Sequence, residues 1–542
     1  MRKKTPPRRP PLPFEIRNLD HRPPITRREF LGRGMLTTSA TLVGVGSFFS
    51  LFAAPRKAYA ALASDIDMLK TNCGIRDGAG KIPFIAFDLA GGGNIAGSNA
   101  LVGGAGGQLD LLTTAGYNKL GLPGNMLPNS STGSFIDTSL GLAMHSDSAY
   151  LRGIKSIAAA ATMGNVNGAV IPAISQTDTD LNPHNPMYGI HSATGAAGGL
   201  LTLIGTQATV SGGNSEAPSY MIDQTVLPTV VRRPSDVTGL VSTGALVGGA
   251  GGLNQAAAVD VLESAVRFSN MKLGTVSPAT GNSATDAAIS NVLGCSYVDA
   301  AYLVDKYGNA QQALDPTLDA AIVGTGGSGG IFTLTQIQQD SDFMATAAVM
   351  KMVVDGYAGA GTIEMGGYDY HTGDRMTGEG RDFKAGQCIG ACLEYAARKG
   401  MPLMIYIFSD GSLASGGMID NSVGGRGKGV WTADNTATAA SLMLVYDPTQ
   451  KPSAISNQIG SYNSDGTVNA TGSVAANAVN LLAETIVLNY MALHGEEADF
   501  ESKVWASGLA QGLGSAANYQ KLIAFNKLAS VSSSGLAPTP QP

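Results

Sequence analysis

Asp369 and His371 stand two residues apart in the segment GGYDYH, residues 366–371. Alternate side chains of an extended chain point the same way, so this carboxylate and this imidazole can face one cation. Other acids sit beside apolar runs: Asp88 in KIPFIAFDL, Asp410 in FSDGS and Asp434 in WTADN. Such a mixture of oxygen and nitrogen donors suits zinc, manganese or calcium. A divalent metal in that setting polarises an ester oxygen or acidifies a bound water, which is hydrolytic chemistry. The competing reading is local: an Asp behind a strand also caps a helix or closes a turn.

Two further residues are candidates for catalysis. Ser409, next to Asp410, offers a hydroxyl nucleophile, and His184 in NPHNPMYGIH offers an imidazole for an anion or a metal shell. His145 reads as a structural loop residue. No GxSxG elbow surrounds any serine, so a serine-hydrolase triad is not indicated. The glycine runs at 91–93 and 324–330 lack the Lys-Ser/Thr of a phosphate-binding loop and the spacing of a dinucleotide fingerprint. Cys388 and Cys392 are four apart on an expected helix and share a face, yet no further soft ligands lie near for zinc. They read as small buried residues. A Cys73–Cys295 disulfide is compatible with an oxidising compartment, but sequence does not establish the pairing.

The elements that must position these groups alternate between helix and apolar strand. The continuous run Lys81–Leu89 predicts a strand buried on both faces, followed by a glycine turn at Gly91–Asn94. Further strands are expected at Ala169–Ile174, Gly361–Met365, Met401–Phe408 and Ser441–Tyr446. Helices are expected at Ser148–Ala161, Gln255–Met271, Asp286–Leu293, Ser296–Lys306, Gln336–Asp355, Asp382–Lys399, Val474–His494 and Phe500–Ala510. This order predicts an α/β fold with a mostly parallel central sheet flanked by helices and carrying glycine-rich loop insertions. Ligands collect at the carboxyl edge of such sheets. The expected organisation is a leader at 1–60, a first part of the α/β domain at 61–200, and an insertion or cap at 201–330. The second part of the domain, with the Asp/His site, follows at 331–450, and C-terminal helices and a tail at 451–542.

The leader has its own logic. Thr26 to Arg33 reads TRREFLGR, a weakly apolar run spans Met35 to Ala54, and Ala58-Tyr59-Ala60 offers a small-x-small cleavage site. That order of basic, apolar and small residues predicts a twin-arginine signal, hence the twin-arginine translocase as a partner and a periplasmic or extracellular destination. The net charge of −6, with much of the positive charge in the leader, argues against nucleic acid as a partner. No stable membrane span is expected beyond the leader. Hydrophobic residues at 44% are too many for a disordered acidic chain.

Several segments, taken in order, resemble a family of uncharacterised bacterial exported proteins with twin-arginine signals, related to the alkaline phosphatase and sulfatase superfamily. They are FDLAGGGNIAGSN (87–99), the His184 loop, IEMGGYDYH (363–371), FSDGS (408–412) and GGRGKGVWTADN (424–435). The resemblance implies an alkaline-phosphatase-like sheet with metal ligands at its carboxyl edge, among them Asp369, His371 and Asp410. The chain departs from the family pattern at Asn94, where an Asp is usual, and at Asn435, where a His follows the Asp. The resemblance therefore implies one metal or none. It leaves two functions open: a metal-dependent hydrolase of phosphate or sulfate esters acting on a small anionic substrate through a degenerate site, or a non-catalytic binding or assembly protein at the cell surface or secretion machinery.

Overall fold

Phe84–Leu89 (β1) is buried along its whole length, which accounts for its lack of polar alternation. It lies in a seven-stranded sheet. The other sheet strands are β4 (Val166–Pro172), β5 (Leu201–Gly205), β6 (Thr229–Val230), β7 (Ala358–Met365), β8 (Leu403–Ser409) and β11 (Ala440–Tyr446). Their spatial order is β4-β11-β8-β1-β7-β5-β6. β1 pairs in parallel with β7 and β8, and β5 pairs in parallel with β7 and β6. β11 alone runs antiparallel, between β4 and β8. The carboxyl ends of β1, β4, β5, β7 and β8 therefore meet the start of β11 along one rim. Two small antiparallel pairs complete the strands: β2 (Ile136–Asp137) with β3 (Met144–His145), and β9 (Leu413–Asp420) with β10 (Lys428–Asp434). The computed structural model describes residues 62–536 except 74, 76–79, 177–181, 242–245, 248–251, 276–277, 310–312, 325–328, 372, 506–511, 515 and 533–535. The leader reading, the Pro-rich tail and the end of the expected 500–510 helix lie outside the described residues.

Each face of the sheet feeds its own core. Ile85, Phe87 and Leu89 point to one side, with helices Ala149–Ile157, Ser341–Val354 and Met376–Lys399. Phe84 and Ala86 point to the other, with helices Met187–Thr194 and Val479–His494. This is the period-two alternation of a strand buried on both faces.

The expected alternation of helix and strand is present, with local differences. The run 336–355 is two helices, because the Asp340 carboxylate accepts hydrogen bonds from the amides of Asp342 and Phe343 and starts a new one. The two helical stretches expected between 286 and 306 are one helix, Ser283–Tyr307. By length and composition alone this helix is long and apolar enough to cross a membrane, which the sequence reading did not expect. Here it lies against helix Gln255–Leu273, and its Val298 forms a small third core with Ile66 and Leu262. A Cys73–Cys295 disulfide ties it to helix Ser64–Asn72. The glycine-rich stretch before β11 contains the unexpected β9–β10 hairpin. Strands β5 and β6 draw part of the 201–330 region into the central sheet. Cys388 and Cys392 are buried free thiols, as expected.

Candidate metal centre

The rim assembles its side chains from three loops. After β7 the chain turns through Gly366 and Gly367, and the Tyr368 amide donates to the Ala90 carbonyl at 3.0 Å. This bond falls one residue beyond the β1–β7 register, and the Tyr370 amide donates back to the Tyr368 carbonyl at 2.9 Å, so the arm turns tightly at Asp369. Tyr368 and Tyr370 then point inward and are buried, while Asp369 and His371 point outward. The glycine turn after β1 presses against this arm. A Cβ on Gly91 would lie 2.5 Å from the Asp369 amide nitrogen, and Gly91 has φ of +120°, so no side chain fits there. The third loop ends β10, whose last residue is Asp434.

Asp369, His371 and Asp434 converge. Their ligand atoms lie within 4.8 Å of one another. Nδ1 of His371 is 3.1 Å from an Asp434 oxygen and touches an Asp369 oxygen. Neither contact has hydrogen-bond geometry, so the Nδ1 atom is enclosed but without a hydrogen-bond partner among the described residues. The side chains are 60%, 35% and 39% exposed for Asp369, His371 and Asp434, which leaves one side open to solvent. One nitrogen and two carboxylates, with an open side, match the donor set of a zinc or manganese site that keeps a position for water or substrate.

The remaining candidates from the sequence are not in this cluster. Asp88 is fully buried, and its oxygens accept from the Ser215 amide at 2.7 Å and the Ser215 hydroxyl at 3.0 Å. Burial pushes its carboxyl up to about 7, with the neighbouring Asp410 adding to the effect. Asp410 is also buried. One of its oxygens accepts from the Gly91 amide at 2.8 Å and the other from the Asn214 side chain at 3.2 Å, so it ties the glycine turn down. Ser409 donates its hydroxyl to the Leu89 carbonyl and accepts from the Gly92 and Gly93 amides at 3.2 and 2.8 Å. A hydroxyl so committed is a turn lock rather than an exposed nucleophile. His184 is buried on the opposite side of the sheet from Tyr370, with its ring stacked on Phe408 at 5.7 Å between centres. Neither ring nitrogen has a hydrogen-bond partner among the described residues, and burial pushes the imidazole down to about 4. His145 is buried with Nε2 2.9 Å from the Met126 carbonyl, in line with a structural role.

Asn94 and Asn435 are tied into local structure by their side chains. Asn94 is buried, and its side-chain amide donates to the Leu413 carbonyl at 3.3 Å. The Asn435 side chain caps the short helix Thr436–Thr438 by accepting from the Ala437 amide at 3.1 Å. Sequence reasoning passed over Tyr370 and Trp431, which back the cluster from beneath. The Tyr-x-Tyr alternation around Asp369 was the signal for the first; nothing local marks the second.

No family model matches this chain, and comparison with curated proteins and with solved structures finds no similar protein.

Proposed function

We propose that the protein is an exported, metal-dependent hydrolase of phosphate or sulfate esters, on an alkaline-phosphatase-like scaffold with a site reduced to one cation. The observation that carries this reading is the convergence of Asp369, His371 and Asp434 at the carboxyl rim with one side open. A divalent ion such as zinc or manganese, when bound, supplies Lewis acidity toward an ester oxygen and lowers the pKa of a water. Asp369 and His371 hold it from one arm and Asp434 from the other. Ser409 and Asp410 act as braces that fix the glycine turn under the site. The nucleophile in this reading is water, because the Ser409 hydroxyl is already committed. The TRREFLGR leader supports export through the twin-arginine translocase, a route for proteins that fold and load an ion first.

The second reading is a cation-binding protein without turnover, serving in binding or assembly at the cell surface. The capping role of Asn435 favours it, since no general base follows Asp434. One experiment separates the two. Elemental analysis of the purified protein and of Asp369→Asn is paired with turnover on a panel of aryl phosphates and sulfates. Bound metal and turnover, both lost in the variant, support the hydrolase. Bound metal without turnover on any substrate supports the second reading. Negligible metal in both proteins removes both.

A further inference from the structure

The ligand cluster is made of two arms, and the first turns of helix Met376–Lys399 touch both of them. On one arm, the Tyr370 hydroxyl sits between the two ligand residues in sequence but points inward. It donates to Asp382 Oδ1 at 2.9 Å and accepts from the Asn94 amide at 3.1 Å. The other oxygen of Asp382 accepts from the Asn99 side chain at 2.8 Å, so the carboxylate is itself held. On the other arm, Trp431 lies three residues before Asp434 and is fully buried. The Arg375 guanidinium stacks over its ring at 4.5 Å, and the Gly373 amide donates to its carbonyl at 3.0 Å. Gly378 is where the arms come together. A Cβ at that position would lie 2.9 Å from the Tyr370 ring and 3.2 Å from Trp431 Nε1. All of these groups except Gly373 are buried, and none of them belongs to the ligand cluster.

We infer that Asp382, acting through Tyr370, and Gly378, by admitting the Tyr370 and Trp431 rings side by side, are positioning residues that set the separation of Asp369 and His371 from Asp434. The inference rests on the one-cation reading above. A ligand set with an open side has few of its own bonds to fix its geometry, so inner partners of this kind decide how well it binds. Tyr370 has this effect without belonging to the ligand set: it is the residue between two ligands, and its side chain is buried while theirs are partly exposed.

The test uses Mn²⁺ on the purified full-length protein, with affinity from titration calorimetry and site symmetry from the electron paramagnetic resonance of the bound ion. Tyr370→Phe removes only a hydroxyl, and Gly378→Ala adds only a methyl. Each is expected to weaken Mn²⁺ binding by about tenfold and to change the resonance line shape. Tyr395→Phe is the control. Its hydroxyl donates to Asp319 at 2.8 Å near the other end of the same helix. That variant is expected to lower the melting temperature while leaving Mn²⁺ affinity and line shape as in the wild type. Wild-type binding in both Tyr370→Phe and Gly378→Ala overturns the positioning role and leaves the cation reading intact. Losses that track melting temperature in all three variants also overturn it, since stability alone then explains them. A wild-type protein that binds no Mn²⁺ or Zn²⁺ overturns the cation reading and this inference with it.

Discussion

Two acidic groups share the carboxyl rim and differ in what surrounds them. Asp88 and Asp410 lie beneath the glycine turn, at most 1% exposed, and their oxygens accept from backbone amides, a serine hydroxyl and an asparagine side chain. Asp369 and Asp434 lie above it, exposed, and face an imidazole nitrogen that makes no hydrogen bond. The residue types are the same, and so is the sheet edge. What separates a brace from a ligand here is burial among neutral donors against exposure beside an imidazole. A buried carboxylate satisfied by amides stabilises a turn, whereas exposed carboxylates gathered around an imidazole nitrogen are disposed toward a cation.

The strongest test of this contrast removes a ligand. Asp434→Asn or His371→Ala is expected to reduce bound zinc or manganese to background in elemental analysis, with little change in thermal stability, because both side chains are partly exposed. A large stability loss with metal retained would reverse the assignment of brace and ligand. A remote control sharpens it. Cys295→Ser breaks the link between helices Ser64–Asn72 and Ser283–Tyr307 and is expected to cost about 3 kcal/mol in denaturant unfolding. Metal content is expected to stay at the wild-type level, since the disulfide belongs to the third core and not to the rim.

The buried layer makes its own prediction about pH. Burial lifts Asp88, and likewise Asp382, to about 7, above the value near 4 expected when unfolded. The folded state therefore holds these protons more tightly, and their contribution is greatest below pH 4. It is lost as pH rises through 7, so stability falls across that window. Asp88→Asn, which resembles the neutral acid, is expected to flatten part of this slope and to stabilise the protein at pH 8 by about 2 kcal/mol relative to wild type. Urea melts at pH 4.5, 6 and 8 measure it. An unchanged slope would show that Asp88 is charged when folded. The smallest effect is expected of Ser409→Ala, which removes the hydroxyl that joins Leu89 to the glycine turn. A loss of ~1–2 kcal/mol with metal content and any turnover retained matches a brace; abolished turnover with stability intact would make Ser409 a nucleophile after all.

Much of the fold was legible from strand character. The apolar runs at 81–89, 401–408 and 441–446 could satisfy their side chains only between two covered faces, and each is a central strand. The β9–β10 hairpin was not legible, because its strands are half exposed and its glycines mask the alternation. In the candidate site, Asp369, His371 and Asp434 were all named from the chain, but so were Asp88, Asp410, Ser409 and His184. Sequence offers no means of dividing that set.

Local order alone determined which residues could reach the rim: Asp369 and His371 follow the two glycines behind β7, and Asp88 and Asp410 stand at the ends of the apolar runs of β1 and β8. Only the folded chain decided which of them became buried braces. Ser215 comes from more than a hundred residues beyond Asp88 to fill its lone pairs, and the Asn214 side chain does the same for Asp410. Hydrogen-bond satisfaction is a property of three-dimensional neighbours, and those donors have no fixed distance along the sequence from the acids they occupy.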